Sequence, residues 1–270
     1  MLTLQYRADT TIPVEAEGIT PDQFADKSPA EIAKLPVQHG NRAEVLGDFF
    51  RLEGDASDRH IRIEGDCGRV KWIGAGMQSG TITIHGNVGM HVGAEMVGGE
   101  IRVHGNAGDW VGGEMHGGLI HVHGDAGHLV GAAYRGSRHG MRGGAILVDG
   151  KAGNEIAATM RRGFIAIGGA TGDFPAVGMI AGSLLLFGQP GGRPAAGMKR
   201  GTLALFADPG PLLPTFRFAC AYRPLFMALL LKQLQAWGFA AAQGIQGGRY
   251  RRYCGDLVSL GKGEILVWEA

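Results

Sequence analysis

Histidines recur at one position of a repeated pattern, and stacked imidazoles could bind a metal ion or change charge near neutral pH. His85, His104 and His123 each precede a glycine in three successive repeats, and Glu64 and Asp149 hold the same position in the repeats on either side. This position alternates with aliphatic residues that face a core, so its side chains point outward. We therefore interpret the column as a surface or interface ladder and predict no metal site. The other histidines near the repeats share no column with it: His91, His116, His121 and His128.

Basic side chains form a second group with a regular position. They follow the methionines of the repeats, with Ile180 and Ala181 interrupting the run: Arg142, Arg161, Arg162, Lys199 and Arg200. One repeat is longer than the others, and its inserted segment adds Arg135, Arg138 and His139. Loops that project from a regular scaffold commonly carry specific contacts. We predict a positive stripe that meets an acidic partner or a polyanionic ligand, the alternative being surface charge that only aids solubility.

We predict no catalytic residue in this chain. The sequence has no phosphate-binding Gly-x-x-x-x-Gly-Lys-Ser/Thr loop, no Cys-x-x-Cys pair, and no acid pair or Ser/His/Asp set that stands out. A net charge of +1 argues against general nucleic-acid binding. The apolar run Pro224–Leu231 is too short to cross a bilayer, and the N-terminus shows no signal-peptide pattern. Three scattered cysteines suit free thiols, so we expect a cytoplasmic protein.

The elements that position these groups come from a repeat. Met-x-x-Gly-x-aliphatic occurs seven times, with a step of 19 residues that becomes 26 once. Its methionines are Met77, Met96, Met115, Met141, Met160, Met179 and Met198. A fixed period of this size is typical of stacked repeats. We interpret the methionines as an inward-pointing ladder of adaptable thioethers that fills the core.

One repeat gives the expected shape of each coil. Ile101 and Val103 alternate with polar Arg102 and His104, which indicates a short strand with one buried face. Gly105 and Gly108 then allow tight corners, and we expect the Asn or Asp after the first glycine to favour a left-handed corner. Stacked units of this kind bury one continuous core. The sequence therefore predicts a mainly β protein, a right-handed parallel β-helix with about 19 residues per coil.

The flanks of the repeats supply candidate caps for the ends of the solenoid. Ser28–Glu31 reads as a capping box that opens a short helix to about Leu35. Arg223–Phe239 has a helical apolar pattern, and Asp256–Leu260 with Glu264–Trp268 indicates a hairpin. We expect an N-terminal cap over residues 1–58, the β-helix over 59–206, and a C-terminal helix and hairpin over 207–270.

The repeat and the tail together resemble a known family. The coil resembles the GXGXG domain of the C subunit of formylmethanofuran dehydrogenase, a domain that also ends the large subunit of glutamate synthase. Arg252–Asp256 followed by Gly261–Val267 resembles the ending of that C subunit. The resemblance covers nearly everything from about residue 50 onward. The length of 270 residues agrees with a separate subunit rather than a domain of a very large chain.

The resemblance implies a structural role in one-carbon metabolism. In methylotrophic bacteria, the related formyltransferase/hydrolase complex moves a formyl group from tetrahydromethanopterin to a methanofuran-like carrier (methylofuran) and hydrolyses it to formate during formaldehyde oxidation. The expected partners are an amidohydrolase-like chain that holds zinc, a molybdopterin-related chain and a formyltransferase chain. No cofactor is expected on this chain alone. The basic stripe would then hold the polyglutamate tail of the carrier.

Three alternatives stay open at this stage. The chain could be the C subunit of a molybdenum- or tungsten-dependent formylmethanofuran dehydrogenase of methanogens. It could be a spacer module like that of glutamate synthase. It could also be a stand-alone β-helix enzyme that acts on a polysaccharide. The Ala- and Arg-rich composition favours the bacterial complex.

Overall fold

A computed structural model describes residues 1–269 of the 270-residue chain. The N-terminal part combines short strands with three single-turn helices. In chain order they are β1 (Leu2–Tyr6), β2 (Val14–Glu15), α1 (Pro21–Phe24), α2 (Pro29–Ile32), β3 (Pro36–His39), β4 (Arg42–Val45), α3 (Leu46–Phe49) and β5 (Phe50–Gly54). The capping box at Ser28 is present, but α2 ends at Ile32 rather than near Leu35.

The central part consists of short strands separated by turns. They are β6 (His60–Glu64), β7 (Val70–Lys71), β8 (Thr81–His85), β9 (Glu100–Val103), β10 (Leu119–Val122), β11 (Ala145–Val148), β12 (Phe164–Ile167), β13 (Ser183–Leu186) and β14 (Arg200–Leu205). The C-terminal part contains β15 (Arg217–Tyr222), α4 (Leu225–Ala236), a 3₁₀ turn (Ala240–Ala242), β16 (Arg249–Gly255) and β17 (Lys262–Glu269).

Most strands join one sheet of 13, in the order β15-β16-β17-β14-β13-β12-β11-β10-β9-β8-β6-β1-β5. From β6 to β14 the neighbours are parallel and shifted by one repeat, so Ile82 pairs with Ile101, and Ile120 pairs with Ile146 across the long repeat. Isolated parallel bridges at Cys67, Val88 and Ala107 form part of a second ladder. The protein is mainly β, and this pairing is consistent with the predicted β-helix-like solenoid.

The interior is lined by the aliphatic residues of each strand and by the methionines. All seven methionines of the repeat have no solvent exposure. A Cβ placed on Gly99 would lie 2.5 Å from Cε of Met77. The methyl groups of six methionines, from Met77 to Met179, pack in this way onto a glycine of the next coil, which explains why Met-x-x-Gly recurs as a unit.

A column of small residues lies beside the methionines for a similar reason. Gly112 has φ +59, and Ala157 and Ala176 have φ +58 and +62 in later coils. A Cβ on Gly112 would lie 2.5 Å from Cδ1 of Ile146, well inside normal carbon contact. A side chain here would therefore press on the end of Ile146, whereas alanine adopts this backbone conformation elsewhere in the column.

The Asn and Asp residues after the corner glycines do not have the predicted role. Asn87, Asn106 and Asp125 are not left-handed. Their side-chain oxygens instead accept hydrogen bonds from the backbone of the next coil. The Asn106 N–H donates to Asn87 Oδ1 at 2.9 Å, and Asp125 N–H donates to Asn106 Oδ1 at 2.8 Å. These side chains are favoured because they tie neighbouring coils together.

The strands at the two ends of the sheet differ in detail from the elements that the sequence predicts there. At the N-terminal end, β1 inserts parallel to β6 and antiparallel to β5, so strands rather than a helix continue the sheet. The predicted hairpin is partly wrong, because Asp256–Leu260 forms the turn and the first strand is β16. Asp256 explains this change, since its carboxylate accepts hydrogen bonds from the N–H groups of Gly197 and Val258.

The C-terminal segment covers half of the outer face of the sheet. Outward positions are polar in the early coils, at Arg62, Thr83 and Arg102, and apolar in later coils at the same register. The apolar ones are Leu147, Ala166, Leu185 and Ala204, which form a second core with Met227, Leu231 and Leu234 of α4. Leu225 and Leu229 of the predicted helical pattern are exposed instead, because α4 turns a different face inward.

Candidate binding site beside the inserted loop

The inserted segment, Ala132–Gly140, is anchored by Tyr134. Its N–H donates to Glu114 Oε1 at 2.9 Å, and its hydroxyl lies 3.0 Å from Nδ1 of His91. Burial lowers the pKa of His91, and the positive charge of the nearby Lys71 lowers it further. Burial raises the pKa of Tyr134. The uncharged forms of both groups are therefore favoured, and they share one hydrogen bond. The loop is thus fixed on the surface of the coils.

Beside this loop lies a basic pocket of about 260 Å³, lined by His139, Arg142, Arg161 and Arg162. Arg161 Nη1 donates to His139 Nε2 at 3.2 Å. Arg142 and Arg161 occupy equivalent positions in adjacent coils, since their N–H groups donate to Met115 and Met141 in the preceding coil. The three arginine side chains are exposed at the mouth of the pocket.

The predicted stripe is only partly continuous. The structure brings four of its eight residues together, while Arg135 and Arg138 are exposed on the loop and do not line the pocket. Ile180 occupies the next coil at this corner, so Lys199 lies one coil further away, followed by Arg200 at the start of β14. The pocket is therefore the part of the stripe that could hold a ligand.

Charge defines what this pocket could bind. Across residues 1–269, none of the eight predicted basic residues forms an ion pair with a carboxylate. Guanidinium groups recognise carboxylates through paired hydrogen bonds. The three guanidinium groups around this cavity therefore suit a ligand that carries several carboxylates. The pocket offers no nucleophile, and its only imidazole is engaged with Arg161, so the arrangement suits binding.

The histidine column stacks as the sequence predicts. The ring centroids of His85 and His104 lie 4.6 Å apart, and those of His104 and His123 lie 5.1 Å apart. Burial lowers the pKa of His104, and the neighbouring imidazoles lower it further. The column therefore disfavours protonation at its centre.

Sequence reasoning missed that His121 joins this column at its end. His121, His123 and Asp149 place their ligand atoms within 4.8 Å of one another. Burial alone would raise the pKa of Asp149, but hydrogen bonds from both imidazoles bring it below its usual value. One signal in the sequence could have identified His121: it occupies an outward strand position at which the next coil has Leu147. That change marks the edge of the covered surface.

A larger pocket of about 770 Å³ lies between the N-terminal segment and the early coils. Glu15, Glu17, Glu95 and Trp72 are among its lining residues. Trp72 stacks on His91 with ring centroids 4.1 Å apart. This acidic concavity was not predicted, because its residues come from distant parts of the sequence and follow no shared pattern.

Comparison with known proteins places these features in a family. The family model described as the GXGXG motif matches residues 57–212. In Methanothermobacter thermautotrophicus, the C subunit of molybdenum-containing formylmethanofuran dehydrogenase 1 is 46% identical over 87 residues, 32% of this chain and 22% of that protein. The C subunit of tungsten-containing formylmethanofuran dehydrogenase 2 of the same organism is 43% identical over 95 residues, 34% of this chain and 35% of that protein. The matched segment thus spans about a third or less of these relatives.

A solved structure matches the whole chain. It is a chain of the formyltransferase/hydrolase complex (FhcABCD) from Methylorubrum extorquens, crystallised in complex with methylofuran. The identity is 37% and the TM-score 0.92, covering 99% of this chain and 100% of the other. None of the helices within residues 1–269 has the length and apolar character needed to cross a bilayer. The chain belongs to the GXGXG family and is related to the C subunits of the formylmethanofuran dehydrogenases and to a chain of the formyltransferase/hydrolase complex.

Proposed function

We propose that the chain is the non-catalytic C subunit of a formyltransferase/hydrolase complex, which transfers a formyl group from tetrahydromethanopterin to a methanofuran-like carrier and hydrolyses it to formate. The full-length similarity to a chain of such a complex carries the proposal. The absence of a catalytic motif in the sequence is compatible with active sites that other subunits supply.

In this proposal the molecule is a scaffold. Residues 59–206 wind as a right-handed parallel β-helix, and residues 1–58 and 207–270 close its two ends. The partners are an amidohydrolase-like chain that holds zinc, a molybdopterin-related chain and a formyltransferase chain. Leu225 and Leu229 lie four residues apart on α4 and support extensive contacts, because large apolar side chains exposed on one helix face are typical of subunit interfaces. The three cysteines are free thiols, which suits a cytoplasmic complex.

The experiment is affinity purification of the native complex, followed by mass spectrometry of its proteins, metals and small molecules. We expect three partner chains, zinc and a furan-containing carrier, without molybdenum or tungsten. A stoichiometric molybdenum or tungsten content would instead assign the chain to a formylmethanofuran dehydrogenase. The sequence identity of 46% to a dehydrogenase subunit makes this the second candidate. Purification of the chain without any partner would refute both.

Within this function, we propose that the basic pocket holds the polyglutamate tail of the carrier. The three guanidinium groups of Arg142, Arg161 and Arg162 converge on one cavity and have no carboxylate partner within residues 1–269. Successive glutamate side chains present carboxylates that such groups bind well.

Paired charge reversals test this assignment. Arg161→Glu with Arg162→Glu should lower the carrier content of the purified complex at least tenfold while leaving its subunits associated. Arg135→Glu with Arg138→Glu is the matched control, since it makes the same charge change outside the pocket. Equal carrier content in both variants, measured by mass spectrometry, would show that the pocket is not the site.

A further inference from the structure

We propose that His121, His123 and Asp149 form a zinc site on the outer face of the sheet, where the C-terminal segment meets the coils. Nε2 of His121 lies 3.0 Å from Oδ2 of Asp149, and Nδ1 of His123 lies 2.8 Å from the same oxygen. The three ligand atoms all lie within 4.8 Å of one another. Two imidazole nitrogens thus converge on one carboxylate oxygen.

The fold itself produces this convergence. Val122 pairs with Val148, so His123 and Asp149 follow at the same position in adjacent coils. His121 precedes His123 by two residues and therefore faces the same side of its strand. Only 1% of the His121 side chain is exposed, whereas 31% of His123 and 16% of Asp149 are exposed. His121 is consequently fixed, and the other two ligands have room to adjust.

The ligand set suits zinc. Two imidazoles and one carboxylate are a common protein set for this ion, with one position left for water or another ligand. Bonds of about 2.0–2.1 Å in tetrahedral geometry place ligand atoms about 3.3 Å apart. The two nitrogen–oxygen separations of 3.0 and 2.8 Å need to widen by only a few tenths of an ångström to reach this spacing.

One feature limits the affinity. Nδ1 of His121 is buried and has no hydrogen-bond partner in the described chain. Without a metal, Nε2 carries the proton and donates to Asp149, so Nδ1 is an acceptor that no donor reaches. A metal on Nε2 moves the proton to Nδ1, which then has no acceptor to support it. We expect micromolar rather than nanomolar binding.

The contacts of Asp149 indicate which parts of the molecule an ion here would hold together. The second carboxylate oxygen of Asp149, Oδ1, accepts a hydrogen bond of 3.4 Å from the N–H of Ala240, in the 3₁₀ turn after α4. The ring of Phe239 lies 6.4 Å from that of His121. An ion here would connect two coils and, through Asp149, the C-terminal segment.

Titration of the metal-free, full-length chain with Co²⁺ tests the site. Tetrahedral Co²⁺ absorbs visible light, and Zn²⁺ should displace it. We expect one Co²⁺ per chain, and at least tenfold weaker binding in His123→Ala and in Asp149→Asn. His116→Ala is the matched control, because His116 is exposed and outside the cluster. Circular dichroism of each variant establishes that it is folded.

Two results would overturn the proposal. The first is no Co²⁺ absorption in the wild type at millimolar metal, which would leave the cluster as a hydrogen-bonded network only. The second is equal binding by His123→Ala and His116→Ala, which would place the metal elsewhere. As a further readout, Zn²⁺ should raise the Tm of the wild type and of His116→Ala but not that of His123→Ala.

Discussion

The sharpest test of the coil packing is the substitution Gly112→Ala. The new Cβ would lie 2.5 Å from Cδ1 of Ile146 and 3.3 Å from Cδ1 of Ile120. Carbon atoms in protein interiors prefer about 3.5–4.0 Å, so the neighbours must move by about 1 Å in a closed core. The substitution therefore combines a backbone cost with overpacking.

The two costs can be separated with a matched glycine. Gly76 has φ +65, and a Cβ there would meet nothing within 4 Å. Gly76→Ala thus reports the left-handed backbone alone, about 1 kcal/mol after the opposing effect on the unfolded chain. Overpacking typically adds about 1–3 kcal/mol. Gly112→Ala should therefore lower the free energy of unfolding by about 2–4 kcal/mol.

A second substitution removes the clashing atom itself. Ile146→Val deletes Cδ1 and should alone cost about 0.5–1.5 kcal/mol through the cavity it leaves. In the double variant, the Cβ introduced at position 112 fills that space, so we expect it to be more stable than Gly112→Ala. The coupling energy should be about 2 kcal/mol. Urea unfolding followed by circular dichroism measures all four proteins. Additive effects, or equal losses for Gly76→Ala and Gly112→Ala, would refute the packing argument.

Two further predictions concern charge and assembly. The pKa of His91 is lowered in the folded chain, so the unfolded chain binds a proton there more tightly and the free energy of unfolding should fall as pH drops below about 6.5. The substitution His91→Asn suits the backbone φ of +67 and should weaken this pH dependence. Urea titrations at pH 8 and pH 5 measure it. If His91→Asn follows the wild-type profile, the imidazole is not responsible. Leu225→Glu with Leu229→Glu should leave the fold intact, because these residues are 86% and 68% exposed. The double variant should reduce co-purification of the partner subunits at least tenfold. Normal recovery of the partners with the leucine variant would exclude this face as an interface.

The repeat made most of the fold predictable. Met77 and its counterparts, together with the aliphatic residue five positions after each, mark every coil because burial imposes the same requirement at each turn. The basic pocket was partly predictable for the same reason, since Arg142 and Arg161 occupy one column. Their convergence with His139 depends on the path of the inserted loop, which has no counterpart in the other repeats.

Other features depend on contacts that periodicity does not encode. The side-chain oxygens of Asn87 and Asn106 accept hydrogen bonds from the backbone of the next coil, and only the stacked structure reveals these donors. Asp256 was assigned to a strand because aliphatic residues follow it, yet its bond to Gly197 joins positions far apart in the sequence. His121 was set aside because its role depends on Asp149 in the next coil and on the distant 3₁₀ turn.

The change from polar to apolar residues along the outer face has a consequence for biosynthesis. The strip formed by Leu147, Ala166, Leu185 and Ala204 is made before α4, the element that shields it. Synthesis of residues 207–270 takes about 3–13 s at 5–20 residues per second. During that interval these apolar side chains lack their cover on the growing chain, so this strip is where aggregation during synthesis should begin.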